Sequence, residues 1–305
     1  MPTLLPALAL VAADVLDVDA QNGPYFDIFP AVAQAQPGDV VRVAPGTYGY
    51  FGVIGRSLTV VASGAPGSVV VQGAVRIQSL AADQRVVLSG ISATGAAGTG
   101  ERGLVVADCA GSVRIQDSAF ESSGSAAVVV LRCDDVAFDE VAADGGALPV
   151  FGGNWGQPGL YVEDSALSLT GCDVRGGLTS AQTFTGASAV LARRSDLFIA
   201  STRAEGGRGG PDDWNFGTQT CQPSGDGGAG VQLDACSLRS LDNAFVGGQP
   251  GPPFDFCGVG AVGPGVSAGG STVIDLPGPR HASSWTRSRS PAGRSRSRRA
   301  ARRRT

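Results

Sequence analysis

AVVVLRCDDVAFDEVAADGG, residues 127–146, contains the whole unit on which this chain is built. An apolar run, Val128-Val129-Val130-Leu131, leads into a polar turn at Cys133, then an alternating run through Val136 and Phe138, and a closing Gly145-Gly146 pair. The unit recurs as GLVVADCAGSVRIQDSAFESSG (103–124), GLYVEDSALSLTGCDVRGG (159–177), AVLARRSDLFIASTRAEGG (189–207) and GVQLDACSLRSLDNAFVGG (230–248). Aligned on the turn, one column reads Cys109, Cys133, Ser165, Ser195 and Cys236, and the last four copies end in Gly-Gly.

After the turn, apolar residues fall two apart: Val113 and Ile115, Val136 and Phe138, Leu167 and Leu169, Leu197 and Ile199. The fifth copy is poorer, with Leu238 followed by Ser240. A period of two is the strand period, and no copy holds an uninterrupted stretch long enough for an ordinary helix. Each copy is two or three short strands that cannot bury their apolar side alone, so the copies stack as a solenoid. Parallel stacking sets equivalent residues about 4.8 Å apart. The column before the turn then alternates in sign, Asp108, Arg132, Asp164, Arg194, and the one before that runs Glu163, Arg193, Asp234. Opposite charges across a ladder attract; as exposed pairs they contribute roughly a few tenths of a kcal/mol each. A charged binding strip is the competing reading.

Forty-six glycines and 18 prolines accompany a hydrophobic fraction of 43%, yet only 6% of residues are aromatic. Small apolar residues suit a narrow stacked interior, and one continuous solenoid makes the chain a single domain. Every basic residue is Arg. The net charge of −4 hides a division, because residues 280–305 carry ten Arg and no acid. Residues 1–279 therefore hold 13 Arg against 27 acids, a net charge of −14. An acidic body argues against nucleic acid as the partner of the solenoid. Residues 280–305 read as a disordered Arg/Ser-rich tail. Of the six cysteines, Cys109 and Cys133 share a column at a spacing that permits a disulfide, while Cys221 and Cys257 lie in successive insertions. None has the C-x-x-C spacing of a zinc site. Small buried residues and structural bridges are the two readings.

Residues 1–16 read as a candidate leader: the apolar run Leu4–Ala13 has small residues before a cleavage point but no preceding basic residue. It is too short to span a membrane. Phe26, Phe29, Val32 and Ala33 fall at helical spacing, Gln36-Pro37-Gly38-Asp39 stops the pattern, and the strand Val40–Val43 follows. A short helix there would cover the open end of a stack. This opening, a helix running into PGDVVRVAPGTY (37–48) ahead of coils of this length, resembles the right-handed parallel β-helix proteins of the pectin-lyase-like superfamily. The resemblance covers roughly residues 17–279. It implies an all-β chain wound as a right-handed parallel β-helix solenoid with a short N-terminal capping helix. It implies no single activity, since the superfamily includes lyases, hydrolases, epimerases, tail spikes and adhesins.

Insertions follow the Gly-Gly pairs at 147–158, 178–185, 208–229 and 249–264. They leave the coil at one aligned position, which predicts that they emerge on one side. They hold seven aromatics: Phe151, Trp155, Phe184, Trp214, Phe216, Phe254 and Phe256. Aromatic-rich loops on one face of a rigid scaffold suit the apolar faces of sugar rings. Trp155, Trp214, Phe216, Phe254 and Phe256 are therefore candidate carbohydrate-binding residues. Packing of the rings onto the coils is the alternative.

The only histidine, His281, lies in the tail and there is no lysine, so superfamily members with a Lys or His base are poor guides. The Asp-His strand motif of pectate lyases is absent, as are the Asn-Thr-Asp and Gly-His-Gly motifs of polygalacturonases. Carboxylates remain: Asp134-Asp135 in a turn of the repeat, and Asp212, Asp213 and Asp255 in the insertions, the first two beside Trp214. Paired carboxylates divide acid and base roles or hold Ca²⁺; no other cofactor is expected. Three functions remain. The leading one is a non-catalytic, secreted or cell-surface protein that binds a polysaccharide or cell-surface glycan. The alternatives are a polysaccharide lyase or glycoside hydrolase using the insertion carboxylates, and a structural or adhesin module.

Overall fold

The computed structural model describes residues 13–95, 101–150, 153–179, 184–215, 220–253 and 258–276, with the backbone alone at 148–150, 153–155, 213–215 and 220–222. The chain passes through three parallel ladders in turn. The first sheet carries Val15–Val18, Val40–Val43, Leu58–Ala62, Arg85–Ser89 and the second halves of Leu104–Gln116 and Val128–Asp139. It continues through Ala166–Thr170, Asp196–Ala200, Ser237–Leu241 and Thr272–Asp275. The second sheet runs from the start of Gly46–Ile54 to Ala244–Val246, and the third from the end of Gly46–Ile54 to Val266–Gly269. The chain is a parallel β-helix, the stacked solenoid that its repeat predicts.

The core is a set of apolar stacks, one residue per coil. In the third sheet Phe51, Val75, Leu104, Val128, Leu160, Val190, Val231 and Val266 lie in register. Burying each such side chain contributes about 1.5–3 kcal/mol. The columns read from the sequence also stack, Ile115 on Phe138 on Leu169 on Ile199. The weak fifth copy places Ser240 on Ile199, buried, with its hydroxyl accepting from Asn243 Nδ2 at 3.1 Å.

The turn column explains itself at the corner between the third and first sheets. Asp108, Arg132, Asp164, Arg194 and Ala235 bend the chain there with φ of 57, 51, 49, 47 and 54°. The next residue turns inward and donates back to the carbonyl two residues earlier, Ser165 Oγ to Glu163 at 2.8 Å and Ser195 Oγ to Arg193 at 2.6 Å. It also accepts the N–H of its equivalent one coil earlier: Cys133 N–H to Ser165 Oγ at 3.0 Å, Ser165 N–H to Ser195 Oγ at 3.1 Å. The corner between the first and second sheets repeats the device, with Cys172 N–H donating to Thr202 Oγ1 at 3.2 Å. Each left-handed corner residue costs about 1–2 kcal/mol, and the side-chain ladder satisfies the buried N–H groups that the bend leaves over. The four described cysteines, Cys109, Cys133, Cys172 and Cys236, are buried in these corners as free thiols, so the bridge permitted between Cys109 and Cys133 is not formed here. Side chains at Cys221 and Cys257 lie outside the description.

At the N-terminus, Val15–Val18 pairs with Val40–Val43, so the solenoid starts two residues ahead of the boundary expected at 17. The helix is Ile28–Gln34, with Asp27 Oδ1 accepting the Ile28 N–H at 2.7 Å and Arg56 donating to the Ala35 carbonyl at 2.9 Å. Its buried face is Ile28, Ala31 and Val32, whereas Phe26 and Phe29 are 66% and 53% exposed. The helical stripe read from the sequence was rotated because the Asp27 cap, not Phe26, sets where the helix begins.

The column Asp108, Arg132, Asp164, Arg194 forms ion pairs, whereas Glu163 of the second column pairs with Arg194 rather than with Arg193. Arg132 Nε lies 2.6 Å from Asp108 and Arg194 Nε 2.7 Å from Asp164; Arg194 also meets Glu163, which accepts the Tyr161 hydroxyl at 2.8 Å. Hydrogen bonds from the arginines hold the Asp108 and Asp164 carboxyls below the usual range, and those from Tyr161 and then Arg194 do so for Glu163. A carboxyl lowered on folding stabilises above its unfolded pKa of about 4, and that stability disappears as pH falls through the folded value. Arg194→Gln keeps the corner Cβ but removes the cation. It is expected to melt below the parent at pH 7 in low salt, the two curves converging in acid once the paired carboxyls are protonated, or in strong salt. A difference that persists in acid would show that Arg194 acts by packing instead.

Candidate functional site

All the long insertions leave between the second and third sheets, for example from Arg203–Glu205 across to Val231–Asp234. They are not loose loops. In the outgoing segment 206–210, the N–H groups of Gly206 and Gly209 donate to Val246, at the end of the next coil's strand, and to Gln249 of the next insertion, at 2.9 and 3.0 Å. Those of Gly207 and Gly210 donate to Ala187 and Phe184 of the preceding returning segment, at 2.7 and 2.9 Å. The returning segment 224–230 behaves alike: Ser224, Gly227 and Gly230 donate to Gly258, Ala261 and Pro264, and Gly225 and Gly228 donate to Gly210 and Gly207. Every third N–H points the same way, which is the period of the extended polyproline II helix. The outgoing segments form one layer, the returning segments a second, and backbone hydrogen bonds run both within and between them.

This slab accounts for the glycine content. Two residues in three face another backbone, and a Cβ added at Gly207 would overlap the Gly177 carbonyl oxygen, one at Gly248 that of Gly207, and one at Gly263 that of Gly228. The third residue points out, giving the outer row Leu178, Arg208 and Gln249. Pro158 and Pro264 occupy outward positions, and Pro250 stands on the last edge of the layer among the described residues, where its missing N–H leaves no donor unmet by them. Over the outgoing layer lies a groove of about 780 Å³ lined by Arg175, Leu178, Glu205, Arg208 and the Gln249–Pro253 stretch. Arg175 is held by Asp173 at 2.6 Å, Glu205 by Arg203 at 2.6 Å, and Arg208 Nε donates to the Pro250 carbonyl at 3.3 Å.

Trp155 lies in an antiparallel hairpin, Ala147–Val150 with Gly153–Gly156, opposite Leu148. Asp213 and Trp214 lie in a second, Asp213–Asn215 with Thr220–Gln222, opposite Gln222 and Cys221. Both hairpins turn an insertion back at the rim of the slab. Phe216, Phe254, Asp255 and Phe256 lie outside the described residues. Asp212 is 3% exposed, contrary to the solvated turn that adjacent acids suggest. Asp134 and Asp135 sit elsewhere, against a shallow hollow on the outer face of the first sheet with Asp196, Phe198 and Arg239. There Asp135 is gripped by Arg114 Nη2 at 2.7 and 2.8 Å, and Asp196 accepts the Ser237 hydroxyl. The carboxylate candidates thus divide between two places. Among the described residues no group of three or more His, Cys, Asp or Glu is placed to hold a metal ion, and no helix is long and apolar enough to cross a membrane.

No protein-family model and no curated protein matches the sequence. Solved structures do resemble it. Pectate lyase Pel9A is 13% identical over 90% of this chain and 80% of its own, with a TM-score of 0.44. A pectin methylesterase in complex with a hexasaccharide is 12% identical over 86% and 92%, at 0.42. Pectin methylesterase PemA from Erwinia chrysanthemi is 12% identical over 87% and 92%, at 0.37. The strand order by itself makes the fold a parallel β-helix.

The slab makes a sharp demand on glycine. Gly207→Ala is expected to cost about 1–3 kcal/mol by overpacking two rigid backbones, whereas Arg208→Ala, one residue on, leaves thermal stability within about 0.5 kcal/mol. Equal melting of both variants in calorimetry would mean that the backbone contacts are not made.

Proposed function

We propose that the protein is a secreted or surface-bound glycan-binding protein that holds a polysaccharide chain in the groove over the outgoing layer, against the hairpins that carry Trp155 and Trp214. The observation that carries this reading is the groove itself. Its walls come from three successive coils, so it spans about 10 Å along the stack. It sets guanidinium groups, Arg175 and Arg208, beside the apolar surfaces of Leu178, Pro250, Pro252 and Pro253. Saccharides present the same alternation of polar rim and apolar ring face. The rigid slab beneath needs no ordering when ligand arrives, which favours affinity.

A second reading is a polysaccharide lyase or glycoside hydrolase. It is favoured by Asp212, a buried carboxylate that directly precedes the hairpin carrying Asp213 and Trp214. One experiment separates the readings: pass the protein over immobilised neutral and acidic polysaccharides, then measure product chain length by mass spectrometry. Retention with intact chains is expected, weakened about tenfold or more in the Trp155→Ala, Trp214→Ala double variant. Shortened chains, lost on Asp212→Asn with Asp213→Asn, would replace binding by catalysis. Intact chains without retention would leave a structural module.

A further inference from the structure

We propose that Cys109 and Cys133 form a latent covalent tie between adjacent coils, closed as a disulfide when the chain folds in the presence of a small-molecule disulfide. The two are register partners across parallel strands, Cys133 opposite Cys109. Residues so paired have Cα atoms about 4.8 Å apart, inside the range a disulfide spans. Both side chains turn into the same corner, 0% and 1% exposed. Among the described cysteines no other two are neighbours: Cys236 stands between Ser195 and Ser271, and Cys172 between Val141 and Thr202.

The corner ladder does not itself require sulfur. At Ser165 and Ser195 a hydroxyl donates back to the carbonyl two residues earlier and accepts the N–H of the coil before, at 2.6–3.1 Å. Cys109 and Cys133 make the same backward contact more weakly, at 3.2 Å. A thiol is the poorer hydrogen-bonding group, so two of them on consecutive rungs give up ladder strength and provide the one chemistry that serine lacks. Sharing a proton also holds the Cys109 thiol down, to about 7, while its partner is pushed up. The tie would fall on the two coils just before the first slab insertion leaves at Gly145, joining the plain end of the solenoid to the end that bears the slab.

The step balances as ordinary thiol–disulfide exchange. The Cys109 thiolate attacks oxidised glutathione and expels one glutathione thiolate, leaving a mixed disulfide on Cys109. The Cys133 thiolate attacks that Cys109 sulfur and expels the second. Two cysteine thiols are oxidised, one glutathione disulfide is reduced to two thiols, and the two protons pass to the expelled thiolates. With both sulfurs buried, exchange takes place before the coils have closed or during local opening.

The test is to refold the reduced full chain with mixed reduced and oxidised glutathione, block remaining thiols, and digest with trypsin. Fragment 103–114 is expected to be joined to fragment 133–175. The joined fragment persists in Cys172→Ser and disappears in Cys133→Ser. The oxidised parent melts on the order of 5–10 °C above the reduced one. A Cys109→Ser, Cys133→Ser double variant, which keeps the ladder, loses that oxidation-dependent shift. Blocked thiols at both positions in the refolded parent, or a joined fragment that depends on Cys172 instead, overturns the proposal.

Discussion

The rise of one coil, about 4.8 Å, governs everything that is attached to it. Inside the helix it stacks Phe51, Val75, Leu104 and Val128 in contact. At the corners it brings Ser165 and Ser195 within hydrogen-bonding distance of the coil before. Beyond the corners it dictates what an insertion can be. Segments that leave consecutive coils at the same position start out at strand spacing, too close for side chains to lie between them. Their N–H and C=O groups can be satisfied only by one another, and so Gly206, Gly207, Gly209 and Gly210 bond in two directions.

Much of the solenoid was legible in the sequence, because apolar alternation and the Cys/Ser turn column repeat at a constant offset. Val136 over Leu167 and Arg132 over Asp108 follow directly from that alignment. The helix face was not legible: spacing alone fitted Phe26 and Phe29, while the Asp27 cap rotates Ile28 and Ala31 inward. The slab was also missed. The Gly-Gly pairs look like stops, yet they are the first turn of extended segments whose partners lie in other insertions. Such segments have no apolar periodicity to signal them. Their trace is a period of three in Gly206-Gly207-Arg208-Gly209-Gly210 and in Gly227-Gly228-Ala229-Gly230, with every third residue free to vary.

The division of labour follows from that period. Two residues of each three are committed to backbone contact, and small residues hold those positions, mostly Gly with Thr179, Ala187 and Ser224 among them. The third points outward: Leu178, Arg208 and Gln249 form the outer row along the groove. Under the proposed function, this rigid platform and its outward row are what meet the polysaccharide. The carboxylates Asp134 and Asp135, on the far first sheet and held by Arg114, take no part in it.

The central claim is that the glycine-rich insertions are a hydrogen-bonded body. Native-state hydrogen exchange resolved to single amides tests it most directly. The account predicts slow exchange at Gly207, Gly210, Gly225 and Gly228, within about tenfold of core amides such as Val190, while the outward Arg208 and Asp226 amides exchange fast. Fast exchange throughout 206–210 and 224–230, with a protected core, would contradict it and return the insertions to ordinary loops.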